Sequence, residues 1–284
     1  MEKTKHIFVA GAGLMGSGIA QVAATAGFRV TLYDVAQFSL EKAKGSILSS
    51  LEKLSLKNRI SASPETIMEF LDFSQELDDA SGCDLVIEAV PEVKELKGEL
   101  FQKLDDICAE GVFFASNTSA IPISTLAGYC RRPELFCGVH FFSPVPLMPL
   151  VEIIRGEKTS DKTIDEVRHM VAAMGKEPVT VEKDIPGFIV NRVFFAAALE
   201  AARLVEKEVT SATNVDKAME LGCAWKMGPL ATCDLAGLDV IIHAADTIYN
   251  ETKDSVFKVP ENMRALMKKG HLGRKTGRGF YNYS

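Results

Sequence analysis

His140 is the histidine whose sequence context best suits proton transfer. It ends a strand pattern and precedes the segment FFSPVP, and ligands bind at the carboxyl ends of strands in open parallel sheets. Glu152 follows within a second apolar strand pattern, where a buried carboxylate requires a partner. A carboxylate beside a histidine fixes its tautomer and stabilises the imidazolium. The pair therefore suits oxidation of an alcohol, with a purely structural histidine as the alternative.

A glycine-rich turn, G-x-G-x-x-G, is the second feature with chemical potential. It directly follows the strand pattern ending IFVA and directly precedes a helical pattern. Gly11 permits the tight turn, Gly13 lets a pyrophosphate approach the backbone, and Gly16 lets the helix pack on the strand. The first helical residues, Leu14 and Met15, place free N–H groups at the phosphates. The turn predicts dinucleotide binding, with a glycine turn that binds no nucleotide as the alternative.

Asp34 predicts which dinucleotide is bound. It ends the second strand pattern, where a carboxylate can accept hydrogen bonds from the hydroxyls of the adenosine ribose. A 2′-phosphate at that point would face a like charge, and residues 35–40 contain no Arg or Lys to offset it. We therefore expect NAD rather than NADP.

These side chains need a sheet to position them, and residues 1–185 alternate short β-branched runs with longer amphipathic segments. The strand patterns cover residues 6–10, 29–33, 84–89, 112–116, 136–140, 151–155 and 178–182. The helical patterns cover residues 14–26, 38–56, 93–108 and 162–174. This alternation predicts an α/β, Rossmann-type domain whose mainly parallel sheet is covered by helices on both faces.

The pattern changes after Asp184, which predicts an all-α C-terminal domain over residues 186–284. Residues 188–207 form a helical segment so apolar that we expect it to be buried nearly all round. Burial against another subunit, giving a homodimer, is one interpretation, and burial within one subunit is the other. Further helical patterns cover residues 213–221, 238–250 and 261–268.

Composition excludes several classes of protein. A net charge of −6 over 284 residues disfavours a general nucleic-acid binder. The six cysteines form no C-x-x-C pair, which predicts no metal site and reduced thiols in a cytoplasmic protein. Residues 7–26 carry no charge and mimic a signal peptide, but their glycines make a poor membrane segment.

Taken together, these residues and several further segments make the chain resemble the 3-hydroxyacyl-CoA dehydrogenase family over essentially its whole length. The segments are GAGLMGSGIAQ (11–21), DLVIEAVPE (84–92), ASNTSAIPI (115–123), GVHFFSPVPLMPLVEII (138–154), PGFIVNR (186–192), MGPL (227–230) and LGRKTGRGFY (272–281). The resemblance implies NAD-dependent, reversible oxidation of a short-chain (S)-3-hydroxyacyl-CoA to the 3-oxoacyl-CoA.

The resemblance also implies roles for individual residues. The family's catalytic His–Glu pair matches His140 and Glu152. Ser119 and Asn191 match the residues that contact the reacting oxygen or the acyl carbonyl of the substrate. Positions around the nicotinamide half of NAD match three more residues: Glu92, Lys97 and Asn117.

Coenzyme A is a polyanion, so an acidic protein must bind it through local cations. Lys53, Lys57 and Arg59 follow Lys42 and Lys44 along the helical pattern after the second strand. Lys53 and Lys57 are the principal candidates for the adenosine phosphates. An ordinary solvated helix face is the alternative.

Two other functions remain open at this stage. One is a related dehydrogenase that oxidises a free hydroxy acid or a sugar acid, although Phe194 stands where one such group places a catalytic lysine after Asn191. The other is a nucleotide-binding structural or redox-sensing protein. Five residues depart from the family pattern, which leaves chain-length preference open: Pro91, Ala120, Ser143, Pro149 and Lys226.

Overall fold

The computed structural model describes residues 5–283. The chain divides into two compact units, one ending at Asp184 and the other beginning at Ile185. In the described part of the chain, no helix combines the length and the apolar character needed to cross a membrane.

The first unit is built on one eight-stranded sheet. Its strands are β1 (His6–Ala10), β2 (Arg29–Tyr33), β3 (Leu71–Ser74), β4 (Leu85–Glu88), β5 (Phe113–Ser116), β6 (Phe136–Phe141), β7 (Leu150–Ile154) and β8 (Glu177–Val181). They lie in the order β3-β2-β1-β4-β5-β6-β7-β8, and every neighbouring pair is parallel except the antiparallel pair of β6 and β7. The mainly parallel sheet predicted from the sequence is confirmed.

Six α-helices within residues 5–184 accompany this sheet. They are α1 (Leu14–Thr25), α2 (Gln37–Leu56), α3 (Pro64–Met68), α4 (Lys94–Ile107), α5 (Ile123–Ala127) and α6 (Asp161–Ala173). In α6, Ile164, Val167, Met170 and Val171 recur at helical spacing and are buried, as expected for an amphipathic helix packed on a sheet. The Ser160 side chain begins this helix by accepting a hydrogen bond from the Thr163 N–H.

The second unit is helical, as predicted. Its helices are α7 (Val190–Glu206), α8 (Ala212–Cys223), α9 (Pro229–Ala236), α10 (Leu238–Thr252) and α11 (Glu261–Lys268). Helix α7 begins two residues later than the apolar pattern suggested, because Gly187 and Phe188 both have positive φ, of 77° and 50°. A left-handed backbone at these residues cannot continue a right-handed helix.

The expectation that residues 188–207 are buried nearly all round is wrong within one chain. Phe195, Ala198 and Leu199 are buried, but Val193 on the opposite side is 63% exposed and Ile189 is 42% exposed. Within this unit, α7 therefore buries one face and leaves apolar side chains on the other. The interpretation that one subunit buries the whole helix is not supported.

Five of the six cysteines are buried and unpaired, and Cys223 is exposed. Burial raises the pKa of the Cys137 thiol to about 12, because a thiolate there would lose its hydration. Burial raises the pKa of the Cys130 thiol in the same way, so Cys130 and Cys137 are poor nucleophiles. Across residues 5–283, no group of three or more His, Cys, Asp and Glu side chains is arranged to hold a metal ion.

Candidate active site

The antiparallel pairing of β6 and β7 brings His140 and Glu152 together. The two residues are direct partners in the register, so their side chains project from the same face of the sheet. His140 Nδ1 and Glu152 Oε2 are 2.8 Å apart, and both side chains are buried. When Nδ1–H donates to the carboxylate, the neutral ring carries its accepting lone pair on Nε2.

His140 lies in the wall of a cavity of about 320 Å³. Residues at or after the ends of three parallel strands and in the first turns of α1 and α4 share this cavity: Met15, Ala89, Val90, Glu92, Lys97, Asn117, Ser119, His140, Phe141, Phe142 and Ser143. Asn117 is fixed there because its Oδ1 accepts a hydrogen bond from the Phe141 N–H at 2.9 Å. The cavity therefore joins the His–Glu pair to Ser119 and to three residues that the resemblance places at the nicotinamide.

A buried ionic network lies beside this cavity. Lys97 is 1% exposed, and its Nζ donates to Glu88 Oε1 at 2.6 Å and to the Val90 carbonyl at 3.1 Å. Glu88 is fully buried and also accepts hydrogen bonds from Ser116 Oγ at 2.6 Å and from the Val90 N–H at 2.7 Å. Burial raises the pKa of Glu88, against the opposing influence of Lys97. The sequence reasoning did not identify Glu88 or Ser116.

Glu92 connects the same lysine to the loop that carries Ser119. Its Oε2 is 3.1 Å from Lys97 Nζ, while its Oε1 accepts from Thr118 Oγ1 at 2.5 Å and from the Ser119 N–H at 3.0 Å. Partial burial opposes ionisation of Glu92, but Lys97 and these hydrogen bonds outweigh it, so the pKa of Glu92 lies below its usual range. A charged carboxylate therefore positions the Ser119 backbone at the cavity.

The glycine-rich turn joins β1 to α1 with open space in front of it. Gly11 has a φ of 105°, and a Cβ at Gly16 would overlap the Gly11 carbonyl oxygen. A Cβ at Gly13 would meet no other atom within 4 Å. Gly13 is also the N-cap of α1, and no side chain caps that helix end. Open backbone N–H groups beside this space are what a pyrophosphate requires, so the residues fit a dinucleotide.

Asp34 lies beside this turn, in the wall of a cavity of about 700 Å³ that also includes Gly11, Gly13, Leu14 and Met15. One carboxylate oxygen of Asp34 accepts from the Ala12 N–H and the other from the Ala36 N–H, each at 2.9 Å. These two bonds fix the carboxylate at the end of β2. Its position fits an acceptor for ribose hydroxyls in that cavity.

A third cavity, of about 770 Å³, runs along α2. Its cationic lining includes Lys42, Lys53, Lys57 and Arg59. Lys44 is not in this lining; its Nζ lies 5.8 Å from the centre of the Phe73 ring. The remaining lining residues were not predicted: Glu41, Gly45, Ser46, Ser49, Ser50, Leu54, Pro144, Pro146 and Leu147. Ser46, Ser49, Ser50 and Lys53 recur at helical spacing, which is a signal that the sequence contained.

Three of the five departures from the family pattern lie in the cavity walls or next to β7. Ser143 shares the 320 Å³ cavity with His140, and Pro91 lines the 700 Å³ cavity. The Pro149 carbonyl accepts a hydrogen bond from the Glu177 N–H at 2.9 Å, just before β7. Asn191 is not a departure but a residue that matches the family pattern. It belongs to the second unit, in the first turn of α7, and is partly buried there.

Comparisons with known proteins identify the family. Residues 6–185 match the NAD binding domain of 3-hydroxyacyl-CoA dehydrogenase, and residues 187–283 match its C-terminal domain. The chain is 42% identical over 275 residues to a probable 3-hydroxybutyryl-CoA dehydrogenase of Deinococcus radiodurans, covering 97% of this chain and 99% of that one. The crystal structure of (S)-3-hydroxybutyryl-CoA dehydrogenase from Ralstonia eutropha superimposes with a TM-score of 0.95 at 39% identity, covering 99% of this chain and 100% of that one.

A more distant solved structure, of a diketoreductase, shares 28% identity and a TM-score of 0.88 over the full length of both chains. The two matched domains cover nearly the whole sequence, and the first of them supports NAD as the cofactor. The resemblance that the sequence motifs suggested is thereby confirmed: the chain belongs to the 3-hydroxyacyl-CoA dehydrogenase family.

Proposed function

We propose that this protein catalyses the reversible, NAD-dependent oxidation of a short-chain (S)-3-hydroxyacyl-CoA, such as 3-hydroxybutanoyl-CoA, to the 3-oxoacyl-CoA. The observation that carries the proposal is the buried His140–Glu152 pair, joined at 2.8 Å. His140 lines a cavity that Met15, a residue of the glycine-rich motif, also lines. NAD, when bound, supplies the hydride acceptor for the reaction.

His140 acts as the general base in this proposal. Nε2 takes the proton of the substrate's 3-hydroxyl group, while Nδ1–H stays hydrogen-bonded to Glu152. Glu152 holds the ring in the required tautomer and stabilises the imidazolium that forms. In the reverse direction, the imidazolium returns the proton to the oxygen of the 3-oxo group.

Ser119, Asn117 and Lys97 position the reactants. Ser119 lies in the same cavity wall as His140, where its hydroxyl can donate to the reacting oxygen. Asn117 is fixed by the Phe141 N–H and presents its amide group beside the nicotinamide. Lys97 acts there by holding Glu88 and Glu92 in place. Asn191, matched by family resemblance, is assigned to the acyl carbonyl.

The 770 Å³ cavity is our candidate site for the adenosine phosphates of coenzyme A. Lys53, Lys57 and Arg59 give it cationic groups in an otherwise acidic chain. A polyanion is attracted most strongly to a surface where several cations lie close together. This cavity favours a CoA thioester over a free hydroxy acid. The diketoreductase relative makes that choice worth testing directly, by comparing acetoacetyl-CoA with free 3-oxo acids in NADH oxidation.

We further propose a homodimer in which the second unit contributes the interface. Val193 and Ile189 leave an apolar face on α7, and such a face is typical of a contact between subunits. The buried, unpaired cysteines suit a reducing compartment such as the cytoplasm.

The proposed chemistry is tested by His140→Gln. Because general base catalysis contributes roughly 10² to 10⁴-fold, kcat for acetoacetyl-CoA reduction should fall by at least about 100-fold, while the Kd for NADH changes little. His169→Gln is the matched control, because His169 is exposed on α6. Full activity of the His140 variant would disprove the assignment of the base.

A further inference from the structure

We propose that Lys176 is a positioning residue for the CoA end of the substrate. It acts by holding the β6–β7 loop, residues 142–149, in the shape that walls the 770 Å³ cavity. This inference rests on the proposed assignment of that cavity to coenzyme A. Lys176 lies outside every motif that the sequence analysis used, between α6 and β8.

Lys176 is buried, at 7% exposure, and its ammonium group bonds to the loop at two points. Nζ donates to the Val145 carbonyl at 2.5 Å and to the Met148 carbonyl at 2.9 Å. Burial lowers the pKa of Lys176, because its two acceptors are neutral and compensate only partly for lost hydration. An apolar side chain would fill this space without that cost, so the site uses the lysine for its donors.

The loop has few other means of keeping its shape. The Pro144 carbonyl accepts hydrogen bonds from the N–H groups of Leu147 and Met148, at 2.9 and 3.0 Å. On the side facing α1, the loop packs where Gly18 has no side chain, since a Cβ there would lie 2.8 Å from Val145 Cβ. At its end, the loop is also tied to the start of β8, because the Glu177 N–H donates to the Pro149 carbonyl at 2.9 Å. Lys176 is the side-chain cross-link between the middle of the loop and the segment before β8.

The same loop faces the cations of α2. Pro144, Pro146 and Leu147 line the 770 Å³ cavity opposite Lys53 and Lys57. Pro146 and Lys176 both line a smaller adjoining cavity of about 310 Å³, which also reaches Arg59. Lys176 therefore lies behind the loop residues that line the cavity. Loss of its two hydrogen bonds would let these residues move relative to the cations on the other side of the cavity.

The first loop residue, Phe142, packs on the His140 ring with ring centroids 4.5 Å apart, but Lys176 binds the loop farther along, at Val145 and Met148. Movement of that part of the loop should leave the catalytic pair in place. His140 and Glu152 are register partners within a ladder of four residue pairs between β6 and β7. Backbone hydrogen bonds of that ladder fix the two strands independently of the connecting loop. Loss of the Lys176 bonds should consequently raise KM for substrates that reach the CoA cavity and leave the chemical step intact.

The experiment compares two thioesters of the same acyl group: acetoacetyl-CoA and S-acetoacetyl-N-acetylcysteamine, which lacks the nucleotide. In Lys176→Met, we expect KM for acetoacetyl-CoA to rise about tenfold, the factor equivalent to one lost charged hydrogen bond. Its kcat should stay within about twofold, and the kinetics with the truncated thioester and the KM for NADH should not change. Lys162→Met is the matched control, because it removes one exposed lysine from α6.

A binding measurement separates this inference from the proposed reaction. The Kd of adenosine 3′,5′-bisphosphate, measured by calorimetry, should rise in Lys176→Met but not in Lys162→Met, whatever the enzyme turns over. If the wild-type protein neither prefers the CoA thioester nor binds the bisphosphate, the CoA assignment fails and takes the inference with it. The other case is a wild type that prefers the CoA thioester and binds the bisphosphate. In that case, only the role of Lys176 is disproved if Lys176→Met leaves the preference and the binding unchanged, or raises KM equally for both thioesters. Lys176→Arg, which keeps the charge but displaces the donors, should show a smaller selective rise in KM and serves if the methionine variant does not fold.

Discussion

Replacement of Lys97 by Met should destabilise the first unit strongly, because it removes one partner of a buried ion pair. Lys97 is 1% exposed and Glu88 is fully buried, with 2.6 Å between Nζ and Oε1. Met fills similar space but leaves the carboxylate without its cation. Breaking a buried pair in this way costs about 3–5 kcal/mol of unfolding free energy.

The pH dependence of that loss has a defined sign. Burial already raises the pKa of Glu88 in the folded protein, and without Lys97 it should rise further. An acid with a raised folded pKa destabilises the fold in its ionised form, so the unfolding free energy of Lys97→Met should increase as the pH falls towards 5. In Glu88→Gln/Lys97→Met the amide can accept from the Val90 N–H and donate to Ser116 Oγ. This double variant should recover about 2 kcal/mol or more, since a neutral buried group replaces an unpaired charge.

Urea unfolding followed by circular dichroism measures these differences. Lys94→Met is the matched control on the same helix: its ion pair with Glu95 is half exposed and should contribute less than about 1 kcal/mol. The reasoning is refuted if Lys97→Met loses no more stability than Lys94→Met, or if the double variant is no more stable than Lys97→Met. The Kd for NAD should rise in Lys97→Met and also in the double variant, because neither retains the ammonium group.

Two further predictions concern the cofactor and the assembly. Asp34→Ala should raise the Kd for NAD about tenfold, as expected when hydrogen bonds to a charged group are lost. It should also reduce the ratio of the Kd for NADP to the Kd for NAD. An unchanged Kd for NAD, measured by fluorescence titration, would contradict the ribose role. Light scattering should give the wild-type protein twice the chain mass of 30.9 kDa. Val193→Lys should lower the measured mass towards that of the monomer, because it places a charge on the apolar face of α7. A monomeric wild type would exclude the dimer.

The sequence predicted the elements whose residues are buried in a regular pattern and missed several that lack one. Strand β3, Leu71–Ser74, has one neighbour in the sheet and is only partly buried, so it lacks the continuous apolar run of the central strands. Helix α3 begins at Pro64 and lasts five residues, too short for apolar periodicity to stand out. Helix α9 begins at Pro229 and is as long as the predicted α11, but its sequence PLATCDLA has no distinct polar face. Proline at the first helical position was a readable signal in both.

The contact between His140 and Glu152 was predictable from the sequence, and the buried network around Lys97 was not. His140 and Glu152 were accessible because a strand end and a buried carboxylate are visible in one short segment. Glu88 and Ser116 are register partners on adjacent parallel strands, but they are far apart in the sequence, and no local pattern links them. Lys97 had a local signal: it lies at helical spacing from Phe101 and Leu104, on the buried face of α4.

The single reversal in the sheet explains how the site is assembled. Strands β1, β4, β5 and β6 run parallel, so their carboxyl ends gather the glycine turn, Glu88, Asn117 and His140 at one edge. A parallel β7 would need a crossover of a dozen or more residues, usually with a helix. The antiparallel β7 instead returns through the loop 142–149 and sets Glu152 opposite His140. The same short return leaves Pro144, Pro146 and Leu147 between α1 and the CoA cavity. One change of strand direction thus supplies both the carboxylate that orients the proposed base and the loop that walls the proposed CoA site. Lys176 anchors this loop and not the strands, so we expect it to affect substrate binding and not the chemical step.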